Sequence, residues 1–320
     1  MRGKPLLLLV VAWLVVLGQT LGQAEERRRQ RPRERGDAPE ARPGPPTHAD
    51  VKYGPHDRNV MDVWLAKSDR PTPVLVSIHG GGFRGGNKSV SGPLLAECLK
   101  SGISVAAITY RFSADAIAPA SFVDSAREIQ FIRSKAKQWN LDGSRIAATG
   151  GSAGAGISLW LGFHNDMANP TSDDPVLRQS TRLTCMAVFN GQTSYDPRFI
   201  RQLHPDSDTY KHSALAQLFG ADLDKLDELP AEKYKLFEEV SALPHLTKDD
   251  PPALLIFGTT LDTPVNNQGV GIHHPKFGAA LKEKMDALGI ECQVRDGISK
   301  RGDDQTQLTI DFIKRHFKMK

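Results

Sequence analysis

The stretch Thr149-Gly150-Gly151-Ser152-Ala153-Gly154-Ala155-Gly156 decides how the rest of the chain is interpreted. A β-rich run precedes it, and an apolar run typical of a helix follows it. Read as G-x-S-x-G, the stretch predicts a sharp strand-to-helix turn that lifts the Ser152 hydroxyl above a sheet. The flanking glycines have no Cβ to clash at such a turn. A phosphate-binding loop fits less well, because no lysine follows the glycines.

A second glycine motif, His79-Gly80-Gly81-Gly82, follows the apolar, β-branched run 73–78. In acyl transfer the substrate's carbonyl oxygen becomes an oxyanion, and backbone N–H donors must converge on it. Successive glycines let the main chain turn its N–H groups into that space. The sequence therefore predicts an oxyanion hole formed by Gly81 and Gly82 together with Ala153, whose N–H lies at a helix start.

The order of strands and helices predicts the fold class. Strands are predicted at residues 60–65, 73–78, 103–110, 145–148, 183–189, 253–258 and 290–294, with helices between most of them. Such alternation predicts an α/β fold with a mostly parallel central sheet and helices on both faces. The polar stretch 192–250, with short helical pieces, predicts an insertion between the strands at 183–189 and 253–258 that covers the catalytic edge.

Length and terminal composition predict three segments within the 320 residues. Residues 1–24 have a charged start, an apolar core and small residues before Ala24, as in a signal peptide cleaved after Ala24. An uncleaved N-terminal anchor is the alternative, although the apolar run is short for a span. Residues 25–50 predict a disordered Pro/Arg-rich linker, and residues 51–320 a single α/β domain. The expected location is secreted or periplasmic.

Charge and cysteine content exclude several function classes. The formal charge of +4 comes from residues 1–24 and 25–46, which leaves a near-neutral body and argues against nucleic-acid binding. Cys98, Cys185 and Cys292 are too few and too scattered for a zinc site or a disulfide framework. They are expected to be buried thiols, and one disulfide of undetermined pairing is the alternative.

With these motifs the chain resembles the α/β-hydrolase family, and within it the HGGG-bearing carboxylesterases. It looks closest to secreted esterases grouped with bacterial feruloyl-esterase-like and hormone-sensitive-lipase-like enzymes. The resemblance covers about 51–317 and rests on four segments: His79–Phe83, Tyr110–Ser113, Gly150–Gly154 and Gly258–Asp262. It implies a triad in the order Ser, acid, His. Ser152 matches the nucleophile and Asp262 the acid, although a loop carboxylate that caps a turn is the alternative for Asp262.

The histidine departs from the family pattern. The family places it just after the last strand, where residues 295–303 contain none. His273 and His274 begin the helix after the acid strand, on the same side of the sheet as Ser152. A triad with His274 as base, and His273 as its substitute, is therefore one hypothesis; a site without a base, the pair serving as a cap, is the other. His316 is expected to be a surface or packing residue.

The sequence therefore predicts an exported, serine-dependent carboxylic-ester hydrolase that acts through an acyl-enzyme on a small-molecule or polysaccharide-linked ester. No cofactor is expected, and no metal, because adjacent histidines cannot easily face one ion. The alternative is a catalytically degenerate α/β-hydrolase that acts as a binding or scaffold protein. The particular ester and the oligomeric state stay open.

Overall fold

Eight strands form one open sheet at the centre of the protein, seen in a computed structural model that describes residues 44–319. The strands are β1 (His48–Lys52), β2 (Val60–Trp64), β3 (Thr72–Ile78), β4 (Ser104–Ile108), β5 (Leu141–Gly151), β6 (Cys185–Phe189), β7 (Ala253–Ile256) and β8 (Cys292–Arg295). Their order is β1-β2-β4-β3-β5-β6-β7-β8. β2 pairs antiparallel with β1 and β4, and all other pairs are parallel. The predicted α/β class and mostly parallel sheet are confirmed.

Helices cover both faces of the sheet, as expected. They are α1 (Gly92–Lys100), α2 (Ala120–Lys135), α3 (Ala153–Phe163), α4 (Pro197–Leu203), α5 (Ser213–Phe219), α6 (Ala231–Glu239), α7 (Gln268–Ile272), α8 (Lys276–Leu288), α9 (Ile298–Arg301) and α10 (Gln305–His316). Apolar residues of α1 and α10 share one core cluster, and those of α2, α3 and α8 share the other. Because helices lie on both faces, every residue of β3 and β4 is buried, which explains their continuous apolar sequences.

The insertion between β6 and β7 is also confirmed. It carries α4, α5 and α6 together with three short 3₁₀ helices, at Asp208–Lys211, Leu223–Glu228 and Leu243–His245. Its apolar side chains, such as Leu215, Phe219 and Phe237, join the core cluster of α2 and α3. The insertion is therefore an integral part of the fold.

The amino-terminal boundary differs in detail from the expectation. β1 begins at His48, before Val51, and pairs antiparallel with β2. Its side chains are exposed or half-buried, so the strand is held through backbone pairing at the sheet edge and has no apolar pattern to reveal it. The predicted signal peptide and most of the predicted linker lie outside the described residues. Within residues 44–319, no helix combines the length and apolar character that a membrane span requires.

The three cysteines are buried free thiols in the structure. Burial raises the pKa of Cys98 and of Cys185 to about 12. Because the thiolate is the reactive form, both side chains are inert at neutral pH and serve as small apolar residues. The disulfide alternative is not what the structure contains.

Helix α2 carries two buried carboxyl groups, Asp124, which is paired with an arginine, and Glu128, which is not. Arg111 donates to both carboxylate oxygens of Asp124, with Nη2–Oδ1 at 2.7 Å and Nε–Oδ2 at 2.9 Å. Glu128, one turn further on, is fully buried, and neither of its oxygens has a hydrogen-bond partner within the described chain. Burial raises the pKa of Glu128 well above 4.5.

Replacing Glu128 with methionine is expected to stabilise the protein at pH 8 by about 1–3 kcal/mol, since an unpaired buried polar group is removed. In the unfolded chain the carboxyl ionises above its ordinary pKa of 4.5, whereas burial in the fold raises that pKa and holds the proton to higher pH. The wild type therefore loses stability as pH rises from about 4.5, and the variant lacks this loss. Urea unfolding at pH 4 and pH 8 checks this, with exposed Glu283→Met as control. An equal stability difference at both pH values would contradict the argument.

Candidate functional site

Ser152 occupies the turn between β5 and α3. Its backbone has φ +53° and ψ −119°, a conformation that is strained for a non-glycine residue. A Cβ on Gly154 would lie 2.0 Å from the carbonyl oxygen of Ile78, and one on Gly150 would lie 2.5 Å from the same atom. Because these contacts involve backbone, no side chain can move aside. Glycine is required at both positions to bring the turn against β3.

His273 is the histidine that faces Ser152. Its Nε2 lies 2.8 Å from Ser152 Oγ, and its Nδ1 lies 2.9 Å from the carbonyl oxygen of Gly269. A carbonyl only accepts, so Nδ1 carries the proton and Nε2 presents its lone pair to the serine hydroxyl. This is the tautomer that can take a proton from Ser152. The short helix α7 ends at the residue before His273 and places its ring.

His274 does not face Ser152, contrary to the expectation from the sequence. It is buried; its Nε2 donates to the carbonyl of Thr263 at 3.0 Å, and its Nδ1 accepts from the N–H of Lys276 at 3.2 Å. Both ring nitrogens are thus engaged with backbone. Neighbouring residues at a helix end point in different directions, so only one of the pair can face the serine. Burial lowers the pKa of His274, which favours a neutral, structural imidazole.

Asp262 lies in the loop between β7 and α7. It is exposed, and it accepts a hydrogen bond from the hydroxyl of Thr260. The loop is further held to the segment after β8, where Asp296 accepts the N–H of Leu261 at 3.1 Å. This segment is where the family pattern has its histidine, and here it carries a carboxylate that fixes the Asp262 loop.

His316 lies on α10, away from Ser152. Its Nε2 is 3.4 Å from a carboxylate oxygen of Glu291, and its ring packs against Phe312. Burial lowers its pKa. These contacts fit the packing function expected for His316.

The loop after β3 adopts the conformation that only glycine favours. Gly81 has φ +99° and Gly82 has φ +60°, and Arg84 N–H closes the turn on the carbonyl of Gly81 at 3.0 Å. A Cβ on Gly81 would lie 2.2 Å from the carbonyl oxygen of Gly85. In residues 44–319, the N–H groups of Gly81, Gly82 and Ala153 have no hydrogen-bond acceptor. Donors without acceptors beside Ser152 suit an anionic oxygen.

His79, the first residue of the HGGG loop, supports the backbone of that loop. It is buried and stacks on Tyr110 with ring centroids 4.3 Å apart, and its Nδ1 lies 2.7 Å from the carbonyl of Gly80. Tyr110 in turn donates to the carbonyl of His79 at 2.9 Å. Burial lowers the pKa of His79, which keeps the ring neutral. His79 therefore fixes the backbone of the loop.

Two cavities meet at Ser152 and His273. The first, about 350 Å³, is lined by Gly81, Gly82, Phe83, Arg84, Ser152, Ala153, Gln192, Tyr195, His212, Ala214, Leu215, Ile272 and His273. The second, about 610 Å³, is lined by Gly80, Gly151, Ser152, Asn190, Gly258, Thr259, Asn267, Gly269, Val270 and His273. Both linings are mostly apolar in exposed area; Phe83, Leu215 and Ile272 contribute to the first, and glycine backbone with Asn190 and Asn267 contributes to the second. A molecule bound across Ser152 would therefore extend into both cavities.

Several of these residues could not be found from the sequence. Gln192 donates to the carbonyl of Ile272 at 2.6 Å, and so supports the helix that ends before His273. Tyr195 packs edge-on against Phe83 with ring centroids 5.3 Å apart. Both lie in the polar stretch 192–250, which has no motif. The only available signal was their position just after β6.

One protein-family model matches more than half of the chain. The BD-FAE family model covers residues 61–274, a range that runs from β2 through β7 and contains Ser152, His273 and His274. Esterase LipQ of Mycobacterium tuberculosis is 30% identical over 135 residues, which are 41% of this chain and 30% of LipQ. The probable carboxylic ester hydrolase LipM of the same organism is 30% identical over 166 residues, 49% of this chain and 37% of LipM. The chain thus matches about a third of the length of these relatives.

Solved structures share the fold at low identity. A truncated carbohydrate esterase from gut microbiota has a TM-score of 0.65 at 22% identity, covering 85% of this chain and 99% of that one. Esterase 2 of Thermogutta terrifontis, phosphoramylated by tabun, has a TM-score of 0.61 at 18% identity, covering 85% of this chain and 96% of that one. These likenesses support the α/β-hydrolase fold of the chain.

Proposed function

This chain belongs to the BD-FAE family of α/β-hydrolases, and from that premise we propose that it is a serine-dependent carboxylic-ester hydrolase. The observation that carries the proposal is the 2.8 Å contact between Ser152 Oγ and the unprotonated nitrogen of His273. Export of the protein stays a prediction from the sequence.

In the proposed reaction, His273 Nε2 takes the hydroxyl proton as Ser152 Oγ attacks the ester carbonyl carbon. The resulting imidazolium then gives that proton to the departing alcohol oxygen, which leaves an acyl-enzyme on Ser152. Water, deprotonated by the same nitrogen, attacks the acyl carbon and releases the carboxylic acid, and the proton returns to Ser152. Atoms balance without a cofactor.

We assign the base to His273 in place of His274, and we keep Asp262 as the candidate acid. Asp262 lies in the loop that leads into α7, the helix that positions His273. The acceptor observed on His273 Nδ1 is the Gly269 carbonyl, which fixes the tautomer but has no full charge to stabilise an imidazolium. The degenerate alternative depended on the absence of a base, and His273 weakens that argument.

The oxyanion hole is proposed to consist of the N–H groups of Gly81, Gly82 and Ala153. They line the same cavity as Ser152, and the Ala153 N–H begins α3, where the helix dipole favours negative charge. The geometry of the loop is set by residues with positive φ, so the donors are in place before the substrate binds.

Gly81→Ala is expected to lower kcat by about 10²–10³-fold, which is the cost of losing one oxyanion donor. The new Cβ would lie 2.2 Å from the Gly85 carbonyl at a φ that alanine avoids, so the loop must shift. Gly85→Ala is the matched control, because a Cβ there meets nothing within 4 Å. Steady-state kinetics on p-nitrophenyl acetate measures both variants. Equal rates for the two would contradict the assignment of Gly81.

The two cavities support a short acyl group on one side and a larger, polar alcohol on the other. The smaller cavity holds the acyl chain, because Phe83, Leu215 and Ile272 offer no hydrogen bonds to it. The larger cavity offers backbone groups together with the side chains of Asn190 and Asn267, which suit a hydroxyl-rich alcohol. One structural neighbour is a carbohydrate esterase from gut microbiota. We therefore propose acetyl to butyryl esters of a sugar-like alcohol as substrates.

The proposal is tested by turnover and by covalent labelling. The full chain is expected to hydrolyse p-nitrophenyl acetate and butyrate, and a fluorophosphonate is expected to inactivate it stoichiometrically. Peptide mass spectrometry should then find the phosphonyl group on Ser152. If the chain shows no turnover and no labelling, the esterase proposal is contradicted and the scaffold alternative is left.

A further inference from the structure

Three side chains with metal-binding atoms meet where the end of α3 lies against the insertion, away from Ser152. His164 follows the end of α3, Glu239 ends α6, and His245 ends the 3₁₀ helix 243–245. One ligand atom from each lies within 4.8 Å of the other two. Ligand atoms that share one tetrahedral zinc ion lie about 3.3 Å apart, so these groups are near enough to converge on an ion after a small side-chain movement.

The two ring nitrogens of His164 both face oxygen atoms. Nδ1 lies 2.9 Å from the carbonyl oxygen of Asn165, and Nε2 lies 3.2 Å from Glu239 Oε1. A neutral imidazole has one N–H to donate. If Nδ1 donates to the carbonyl, the lone pair of Nε2 faces the Glu239 carboxylate, an arrangement that a bound cation would favour. If Nε2 carries the N–H, the contact with Glu239 is an ordinary hydrogen bond.

The remaining contacts hold the group in place. The carbonyl oxygen of Glu239 accepts from Trp160 Nε1 at 2.7 Å, and His245 Nε2 lies 2.7 Å from the same oxygen. His245 therefore donates through Nε2 and keeps a lone pair on Nδ1. The ring centroids of His164 and His245 lie 4.7 Å apart, and those of Trp160 and His164 lie 4.3 Å apart. The side chain of Glu239 is 48% exposed, so an ion can reach it from solvent.

We propose that His164, Glu239 and His245 bind a divalent transition-metal ion of the zinc type, with water as the remaining ligand. Two imidazoles and a carboxylate are a borderline-soft set that suits zinc and disfavours calcium and magnesium, which prefer oxygen ligands. The ion ties the end of α3, the helix that begins beside the nucleophile, to the insertion that covers the active site. No metal was expected from the sequence, where only the adjacent His273 and His274 were weighed as ligands; His164 lies 75 residues before Glu239 and forms no motif with it.

The test is calorimetric titration of the EDTA-treated full chain with zinc chloride. One equivalent is expected to bind, and the thermal midpoint is expected to rise by about 5 °C when zinc exceeds its Kd about 100-fold. Glu239→Gln and His245→Asn should each weaken binding at least about tenfold. Glu232→Gln, an exposed carboxylate on the same helix α6, is the matched control and should bind as the wild type does.

Cobalt(II) provides a second measurement. Intense visible bands are expected from a tetrahedral site in the wild type and are expected to disappear in Glu239→Gln, whose midpoint in EDTA checks that it folds. Undiminished zinc binding by Glu239→Gln and His245→Asn would place the ion elsewhere and overturn the proposal. No saturable binding by the wild type would also overturn it, and would leave a hydrogen bond between His164 and Glu239.

Discussion

Ser152→Ala is expected to lower kcat/KM for p-nitrophenyl acetate by about 10⁴-fold or more, because the variant can form no acyl-enzyme. Binding of the substrate should change little, since the removed hydroxyl contributes to bond formation. The remaining rate would come from the oxyanion donors and His273 acting on water. Steady-state kinetics together with fluorophosphonate labelling measures this.

Ser158→Ala is the matched control for this variant. Ser158 is a buried serine on the same helix α3, and its hydroxyl donates to the carbonyl of Gly154 at 2.8 Å. It touches neither cavity, so its removal is expected to leave kcat/KM within about twofold and to cost about 1 kcal/mol of stability. A wild type that is no faster than Ser152→Ala would contradict the esterase proposal.

The nucleophile turn and the HGGG loop were predictable because each requires glycine at a fixed spacing from a characteristic serine or histidine. Gly150, Gly154 and Gly81 are needed where a Cβ would collide with backbone, and such a need is written directly into the sequence. The buried strands were predictable for a similar reason, since a strand covered on both faces must be apolar throughout. Local steric and burial rules thus account for the sheet and for the placement of Ser152.

Contacts between distant segments were not predictable in the same way. Ser152 and His273 are 121 residues apart, and which of two adjacent histidines faces the serine depends on how the short helix α7 ends. Gln192 and Tyr195 act through the tertiary packing of the insertion. β1 is held by backbone pairing at an edge. In each case the deciding interaction is made by elements whose relative position the sequence pattern does not contain.

His273→Ala is expected to lower kcat/KM by about 10³-fold or more, because Ser152 then has no base within hydrogen-bond distance. The effect should lie mainly in kcat. The measurement is steady-state hydrolysis of p-nitrophenyl acetate by wild type and variant at a temperature where both are folded. The rate of fluorophosphonate labelling should fall in parallel with the turnover rate, since both reactions depend on deprotonation of the serine.

His274→Ala and Asp262→Asn separate this assignment from its rivals. His274 holds the Thr263 carbonyl and the Lys276 N–H, so its removal is expected to lower the thermal midpoint and to leave kcat/KM within about tenfold. Asp262→Asn is expected to lower kcat/KM by about 10²-fold or more, because Asp262 is the candidate acid and a carboxylate stabilises the imidazolium that forms on His273. A loss of less than about tenfold would remove Asp262 from the triad and leave the Gly269 carbonyl as the acceptor for His273 Nδ1. A comparable loss in folded His274→Ala, with His273→Ala active, would return the base to His274.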